Sequence, residues 1–265
     1  MAQPNSSSDT DFPYWLVVLS VLGLGFAAYA YTNDIYGQVF AIVAKGAGIT
    51  IFVTLVGFSL ASALGLVLAV ASLSRFLAVR QVARFYIEVV RGLPILVLLL
   101  YIAFVAAPLV IALINAIIEP LGIDALRTRD FPLIWRAILA LTIGYSAFIA
   151  EVFRAGIQAV DKGQIEAAKA LGMSGWLRFR LIVFPQALRT ILPPLGNDFV
   201  AMIKDSSLVS VLGVADITQL GKVYAAGSFR FFETYNVVAF IYLTMTVTLS
   251  LALRKFERKT RIEER

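Results

Sequence analysis

Ionisable and hydroxyl side chains interrupt long apolar runs of this sequence at a few places. The residues concerned are Glu151, Arg91 and the consecutive group Lys204, Asp205, Ser206 and Ser207. Ionisable groups in an apolar environment cost free energy and by default mark a function. The sequence contains no Cys and no His, which excludes thiolate nucleophiles, imidazole bases and disulfides. No metal site is predicted.

Each of these groups has a structural and a functional interpretation. Glu151 is either neutralised by Arg154 three residues later, or it offers a carboxylate to an ammonium group. Arg91 either pairs with Glu88 or clamps a carboxylate with two parallel hydrogen bonds. Residues 204–207 stand where a helix is predicted to break, and free backbone groups with hydroxyls suit a zwitterion there. The same four residues hold the one Ser–Lys combination that an enzyme could use.

Composition places these groups in a membrane protein. Of the 265 residues 60% are hydrophobic and 15% are charged, with a mean hydropathy of +0.84. Soluble domains carry roughly 25% charged residues, and one soluble domain could not hide so much apolar surface from water. Helices satisfy their backbone polar groups inside lipid. The predicted fold class is therefore all-α and integral to the lipid bilayer.

Apolar runs predict five membrane-spanning helices, four of them free of charged residues and the fourth in order tolerating Arg136 and Glu151. They cover residues 12–33, 46–74, 92–118, 131–153 and 234–253. Pro94 and Pro108 predict a bent or broken helix in the third run. The stretch 184–215 is apolar but interrupted by proline and charged residues. We expect a bent helix near 190–204, buried in protein, followed by a re-entrant or interfacial piece.

The distribution of Lys and Arg predicts the orientation. Fifteen of the 23 basic residues lie in 75–84, 154–189 and 254–265, which share one face, and the opposite loops hold six. By the positive-inside rule the rich face is cytoplasmic. With the stretch 184–215 as a further crossing, six spans with both termini in the cytoplasm are predicted. The net charge of +6 is thus explained by topology. Nucleic-acid binding is not predicted, because no basic stripe with interleaved aromatic residues is present.

The loop 157–185 is too long for a tight connection between neighbouring helices. Gly163 precedes a run of strong helix formers, 166–171, and Gly172 is placed to end that helix. Apolar residues recur at helical spacing over 176–183, which predicts a second short helix along the membrane surface.

Two interpretations of this loop are open on physical grounds. In one it is a solvated helical hairpin in which Glu166 and Lys169 form a surface contact. In the other, the small side chains of Ala167, Ala168 and Ala170 form a surface that suits docking into a groove on a partner.

Motifs in and after this loop resemble a known family. Glu166-Ala167-Ala168, then Gly172, then Ile182, Phe184 and Pro185 resemble the EAA loop of permease subunits of binding-protein-dependent ABC importers, although the family has Leu where Phe184 stands. The similarity continues at Gln186-Ala187, Arg189, Leu192-Pro193-Pro194, Asn197 and 204–208, and upstream at 91–94 and 150–151. These motifs are similar to the polar amino acid branch, which carries histidine, glutamine, glutamate or arginine.

The resemblance covers about 38–256 and implies a five-helix type I ABC importer permease domain in a bacterial cytoplasmic membrane. Residues 1–37 would add a tail and one extra transmembrane helix, and 257–265 a basic cytoplasmic tail. Two ATPase subunits would dock on a cytoplasmic coupling helix in the loop. Its contact residues would be Gly163, Glu166, Ala167, Ala168, Leu171 and Gly172.

The same resemblance implies further partners and a substrate site. A second permease, either another copy or a related chain, would complete the pathway, and an extracytoplasmic binding protein would deliver the amino acid. Glu151 and residues 204–207 would border the substrate cavity, with Arg91 as a further candidate. The sequence lacks a G-x-x-x-x-G-K-[ST] phosphate loop. The chain is thus predicted not to be an enzyme and to bind no cofactor, with ATP and Mg used by the ATPase partner.

Two rival functions are weighed against this one. An ATP-independent secondary amino acid transporter would be supported by inverted repeats or buried acidic relays, and the sequence shows neither. A membrane-embedded enzyme would depend on Lys204 with Ser206 or Ser207, which serve equally well as a helix break.

Overall fold

The computed structural model describes residues 14–261, and the side chains of residues 14–257. The predicted tail ahead of residue 14 and the last residues of the predicted basic tail, 262–265, lie outside this range. The α-helices are α1 (Tyr14–Thr32), α2 (Asp34–Val43), α3 (Ala47–Ser72), α4 (Leu77–Arg91), α5 (Ile95–Tyr101), α6 (Ala107–Ile118), α7 (Leu133–Gln158), α8 (Lys162–Ala170), α9 (Gly175–Arg178), α10 (Phe184–Asp205), α11 (Ile217–Ser228) and α12 (Phe231–Arg261).

Five helical runs among the described residues are long and apolar enough to cross a membrane. They are Tyr14–Thr32, Asp34–Ser72, Ile95–Leu121, Leu133–Gln158 and Phe231–Glu257. Each overlaps one of the five predicted runs, which confirms that a helix of sufficient length and apolar character occupies each of them. The second run begins at residue 34 rather than 46, because a 3-10 turn at Ala44–Gly46 carries the helix across the charged Lys45.

A tight corner joins α1 to α2 at Asn33. The Asn33 side chain accepts hydrogen bonds from the backbone N–H groups of Ile35 at 3.1 Å and Tyr36 at 3.3 Å, as a helix N-cap does. The Tyr36 ring lies edge-on to Phe26 and Tyr29 on α1. The corner thereby fixes α1 against α2. Elsewhere α1 is mostly exposed, as expected of a helix that faces lipid.

The centre of the molecule is the parallel packing of α3 on α7. Phe52 meets Trp135 with ring centroids 6.1 Å apart. Further along both helices a Cβ on Gly65 would lie 2.9 Å from Ile149 Cγ2 and 3.0 Å from the Ser146 carbonyl oxygen. Glycine is required there because no side chain fits between the helices. Close approach through small residues is how helices pack without a hydrophobic driving force.

The third apolar run forms one helical run, Ile95–Leu121, so the break that Pro94 and Pro108 predicted is absent: Pro94 precedes the run, and Pro108 follows a π-helical segment inside it. Pro94 caps α5, and Pro108 lies in the first turn of α6, with the π-helical segment Ile102–Ala106 between the two helices. The buried Arg136 guanidinium on α7 donates to the Ala103 carbonyl of this segment at 2.9 Å. It also donates to the carbonyls of Phe131 and Thr128. One side chain thereby fixes the π-helical segment against the neighbouring loop.

The region after residue 174 differs from the prediction. A second short helix separate from the next one was expected over 176–183. Instead α9, the π-helical segment Phe179–Val183 and α10 form one continuous helical run. The helix expected near 190–204 extends over Phe184–Asp205, and Pro193 and Pro194 lie in its interior without ending it. The π-helical segment allows the run to change its hydrogen-bond register in place of a loop.

The segment from α10 to α11 packs along α12, and its helix is interrupted between Leu212 and Ile217. Gly196 faces Leu253, with its Cβ position 3.4 Å from Leu253 Cδ1. The Tyr242 hydroxyl donates to the Asp216 carboxylate at 3.0 Å, and Gly221 packs against Val238. In these three contacts the residue numbers rise along the α10–α11 segment and fall along α12, so the two run antiparallel. The piece after residue 205 therefore continues in the same direction, antiparallel to α12, and does not turn back as a re-entrant segment would.

The two ends of the described chain lie on the same side of the molecule. The Arg254 guanidinium near the end of α12 lies over the Trp15 ring at the start of α1, 5.9 Å from its centroid. A further difference concerns the segment 75–84, which was expected to be a loop. Helix α4 begins at Leu77, so only the residues just before it connect α3 to α4.

Candidate functional site

Three side chains on α7 form a stripe along which the candidate groups are arranged. Tyr145, Phe148 and Glu151 follow one another at intervals of three residues, the spacing at which helical side chains are neighbours. The rings of Tyr145 and Phe148 are 6.4 Å apart. Because α7 is the most buried of the apolar helices, this stripe is held rigidly by the core.

Glu151 forms the ion pair with Arg154 that the sequence allowed. The shortest contact is 2.5 Å, from Arg154 Nη2 to Glu151 Oε2, and Arg154 Nε lies 3.2 Å from both carboxylate oxygens. The side chains of Glu151 and Arg154 are 27% and 33% exposed. The positive charges of Arg91 and Arg84 on α4 also act on Glu151. The carboxylate is therefore accessible within a field of basic groups.

Arg91 does not pair with Glu88 as the structural interpretation supposed. Among the side chains of residues 14–257, Arg91 forms no ion pair, and its guanidinium lies over the Phe148 ring at 5.8 Å. Phe148 is a neighbour of Glu151 on the α7 stripe. The structure thus brings Arg91 and Glu151 to one side of α7, and Arg91 retains its capacity to bind an anion.

The group 204–207 is divided between two sides of α10. Asp205 accepts a hydrogen bond from the Tyr145 hydroxyl at 2.7 Å, at the end of the α7 stripe that is farthest from Glu151. Ser206 is buried, and its hydroxyl donates to the Ile203 carbonyl in the preceding turn. Ser207 is half-buried. Lys204 lines a separate small cavity between α1, α10 and α12. Its ammonium is thus directed away from Asp205, and no Ser–Lys pair forms.

One polar group at this site was missed by the sequence analysis. The Oδ2 atom of Asp198 is buried and has no hydrogen-bond partner among the described residues. Asp198 lies seven residues before Asp205 on α10 and acts electrostatically on Tyr145. A buried carboxylate oxygen without a partner calls for an explanation. The sequence alone could have identified Asp198, because it is an ionisable residue in an apolar run. Glu151 was identified by that same criterion.

The loop 157–185 presents a short helix on the end of α7. The Asp161 carboxylate caps α8 by accepting from the backbone N–H of Gln164 at 3.2 Å. Ala168 is the one buried residue of α8, whereas Leu171 is 82% exposed. In the hairpin interpretation Glu166 and Lys169 would form a surface contact, but within residues 14–257 they form no salt bridge. The exposed face of α8 is thus left open.

Gly172 ends α8 in the way that the sequence predicted. Its φ is +73°, a conformation that favours glycine. The N–H of Gly172 donates to the Lys169 carbonyl at 2.9 Å and that of Met173 to the Ala168 carbonyl at 3.1 Å, the pair of bonds that defines a Schellman motif.

A small apolar cluster connects α8 to two longer helices. Val160, Val183, Ala187 and Ile191 are its buried members, and Ile165 of α8 packs against it. Next to this cluster the Gln186 side chain donates to Gln164 at 2.5 Å. The end of α7, the helix α8 and the start of α10 therefore form one packed unit. The Tyr145–Asp205 hydrogen bond joins the same two helices, α7 and α10.

Comparison with known proteins identifies the family. Residues 61–262 match the family described as "Binding-protein-dependent transport system inner membrane component". The chain belongs to this family. It is 35% identical over 221 residues to the glutamine transport system permease protein GlnP of Escherichia coli (strain K12), covering 83% of this chain and 94% of GlnP. It is 34% identical to the probable amino-acid permease protein YxeN of Bacillus subtilis (strain 168), covering 79% and 87%.

Solved structures agree with this assignment. An amino acid ABC transporter crystallised with histidines matches with a TM-score of 0.70 at 38% identity, covering 84% of this chain and 95% of that chain. The inward-facing methionine transporter MetNI matches with a TM-score of 0.61 at 18% identity, covering 86% and 99%, and shows the shared fold. The chain is thus an all-α permease with the type I ABC importer fold, as the sequence motifs indicated.

Proposed function

We propose that this permease is the membrane-spanning subunit of an ABC importer that moves polar amino acids into a bacterial cell. The observation that carries the proposal is the exposed face of α8, which ends with Leu171 at 82% exposure, in a chain whose relatives are named glutamine and amino-acid permeases. Leu171 lies outside the membrane-spanning runs, so lipid does not account for its exposure, and a docked partner would cover it.

In this proposal both termini and the loop 157–185 face the cytoplasm. Two ATPase subunits, which use ATP and Mg, dock on α8, and a second permease completes the pathway. An extracytoplasmic binding protein delivers the substrate. The secondary-transporter alternative is not favoured, because the chain belongs to the family of binding-protein-dependent systems.

The proposed coupling is mechanical. A pull on α8 displaces the apolar cluster around Val160 and Val183, which holds the end of α7 and the start of α10. Packed elements move as units with discrete arrangements rather than by continuous deformation. Movement of α7 against α10 changes the environment of the Tyr145–Asp205 hydrogen bond. ATP-driven closure would thereby reach the centre of the membrane.

The proposed substrate site lies along the α7 stripe. Glu151 and Asp205 supply negative charge for an ammonium group, and Arg91 supplies a guanidinium for a carboxylate. Ser206 and Ser207 contribute the broken helix end next to Asp205. Lys204 belongs to a different cavity and is not part of the proposed site.

The substitution Glu166→Lys tests the coupling role. Glu166 is exposed on α8 and forms no ion pair within residues 14–257, so the change is expected to alter stability by less than about 0.5 kcal/mol. ATP-driven uptake in proteoliposomes with the purified ATPase is expected to fall at least tenfold. Lys162→Glu, an exposed charge reversal in the first turn of the same helix, is the control. Normal uptake by the Glu166 variant would remove α8 from the mechanism.

Purification of the tagged chain from its native membrane tests the wider assembly. Recovery of an ABC ATPase in stoichiometric amount is expected, and a second permease in equal amount would indicate a heterodimeric pathway. Absence of any ATPase across several mild detergents would contradict the importer proposal.

A further inference from the structure

Lys204 and Arg254 lie in one small cavity on the side of α10 opposite the Tyr145 contact. The cavity has a volume of about 210 Å³, and Trp15 and Ser250 also line it. The Arg254 guanidinium lies over the Trp15 ring. Within residues 14–257 neither cation pairs with a carboxylate, and the Ser250 hydroxyl makes no hydrogen bond. Two positive charges and a hydroxyl donor thus converge without an anionic partner in the described part of the chain.

The cavity continues into an apolar groove between α1 and α12. The groove has a volume of about 680 Å³ and shares Val247 and Leu251 with the cavity. Along α1 it extends from Leu16 to Ala27, which is about 17 Å at the rise of an α-helix. One leaflet of a bilayer has a hydrocarbon thickness of about 15 Å. The groove is therefore as long as one acyl chain in its leaflet.

We infer that the groove and its cationic end bind one anionic phospholipid. An acyl chain lies between α1 and α12, and the phosphate lies between Lys204 and Arg254 with Ser250 as a further donor. Long basic side chains extend from the apolar region to reach such a group. Trp15 is of the residue type enriched where the hydrocarbon region meets the lipid head groups.

The selectivity of this site comes from its charged end. Lipid tails are as apolar as the groove wall, so every phospholipid chain would fill the groove without a hydrophobic gain over the bilayer. The two cations instead favour a head group with net negative charge, through charge-assisted hydrogen bonds. A helix of a second copy is a poorer occupant, because an apolar helix would leave both Lys204 and Arg254 without a counter-charge.

The test measures which lipid stays bound to the full-length permease. The chain is reconstituted in nanodiscs of equal phosphatidylglycerol and phosphatidylethanolamine, released, and examined by native mass spectrometry. We expect phosphatidylglycerol adducts to exceed phosphatidylethanolamine adducts at least threefold. In the double variant Lys204→Gln, Arg254→Gln the ratio is expected to fall to about one. Lys255→Gln, which removes an exposed charge one residue from Arg254, is the matched control and should leave the ratio unchanged.

A second variant changes the groove without changing its charge. A Cβ at Gly23 would lie 3.8 Å from the Phe240 ring, so the site accepts a side chain, and Gly23→Leu would fill the groove between the helices. We expect the amount of phosphatidylglycerol bound to this variant to fall at least threefold, with no change in its melting temperature. It keeps the proposal testable if the double variant fails to fold.

Three outcomes would overturn the proposal. An unchanged ratio in the double variant would show that the cations do not select the lipid, and an equal loss in Lys255→Gln would show that any surface charge suffices. The third concerns the occupant of the groove. The sequence has no Cys, so the single variant Leu243→Cys reports on proximity, and an efficient disulfide-linked dimer through this position would identify a second copy in the groove.

Discussion

Replacing Gly172 by Ala is expected to reduce ATP-driven uptake far more than replacing Gly122 by Ala, although both changes strain the backbone equally. Gly172 has a φ of +73° and Gly122 a φ of +74°, and at neither position would a Cβ meet another atom within 4 Å. Both glycines lie in Schellman motifs. At Gly122 the N–H donates to the Glu119 carbonyl, and the N–H of Ile123 donates to the Ile118 carbonyl.

The magnitude follows from the conformation. A non-glycine residue in the left-handed region costs roughly 1–2 kcal/mol, which shifts a local equilibrium by a factor of about 5 to 30. At Gly172 this cost falls on the end of α8, a nine-residue helix that buries only Ala168. Weakly buried segments open locally before the protein unfolds. The population of the correctly formed α8 end, and with it the coupled rate, should fall several-fold.

The assay separates coupling from stability. Uptake of a radiolabelled amino acid into proteoliposomes is measured together with ATP hydrolysis by the same preparation and with the melting temperature of the purified complex. We expect Gly172→Ala to lower uptake per ATP hydrolysed, and Gly122→Ala to keep that ratio at the parent value. Melting temperatures of the two variants should agree within a few degrees.

The opposite result would refute the reasoning. Equal losses of uptake per ATP in the two variants would mean that left-handed strain acts through general stability. No loss in either variant would mean that the end of α8 does not need its Schellman geometry to transmit force.

Three other substitutions test the interior of the permease. Glu151→Gln is expected to lower transport at least fivefold with unchanged assembly on a sizing column, because its partly exposed pair with Arg154 contributes only about 0–1 kcal/mol to stability. Unchanged turnover and apparent affinity would make the carboxylate structural. Tyr145→Phe removes the bond to Asp205 and should destabilise the permease by about 1.5–3 kcal/mol, measured by thermal melting, and an unchanged melting temperature would contradict it. Arg136→Gln should cost at least about 3 kcal/mol, because three carbonyl groups lose their donor, and retention of the parent melting temperature would speak against this role.

Much of the fold could be predicted because the bilayer constrains the sequence. Apolar runs of about 20 residues must form helices in lipid, and the five predicted spans are present. A local irregularity at Pro108 was also predictable, because proline removes a backbone donor wherever it stands, and a π-helical segment precedes it in a run that otherwise continues. The family motifs around Glu166 and Gly172 supplied the assignment that the comparisons confirm.

The path of residues 175–228 was predicted only in part: a helix near 190–204 was expected, but not the continuous run from α9 through α10. Proline and charged residues there argue against a continuous helix in lipid, yet Pro193 and Pro194 lie inside α10. Packing of α10 against α7 and α12 overrides the local preference. The sequence rule for a membrane span assumes contact with lipid, and it does not hold where protein surrounds the helix.

The grouping of the charged residues was decided only by the tertiary structure. Sequence alone identified Glu151, Arg91 and the neighbours Lys204 and Asp205, because a single ionisable residue in an apolar run is visible without a fold. Which of them meet depends on helix rotation and on partners distant in sequence. Adjacent residues on a helix point about 100° apart, so Asp205 reaches Tyr145 on α7 while Lys204 faces Arg254 across a cavity beside α1 and α12.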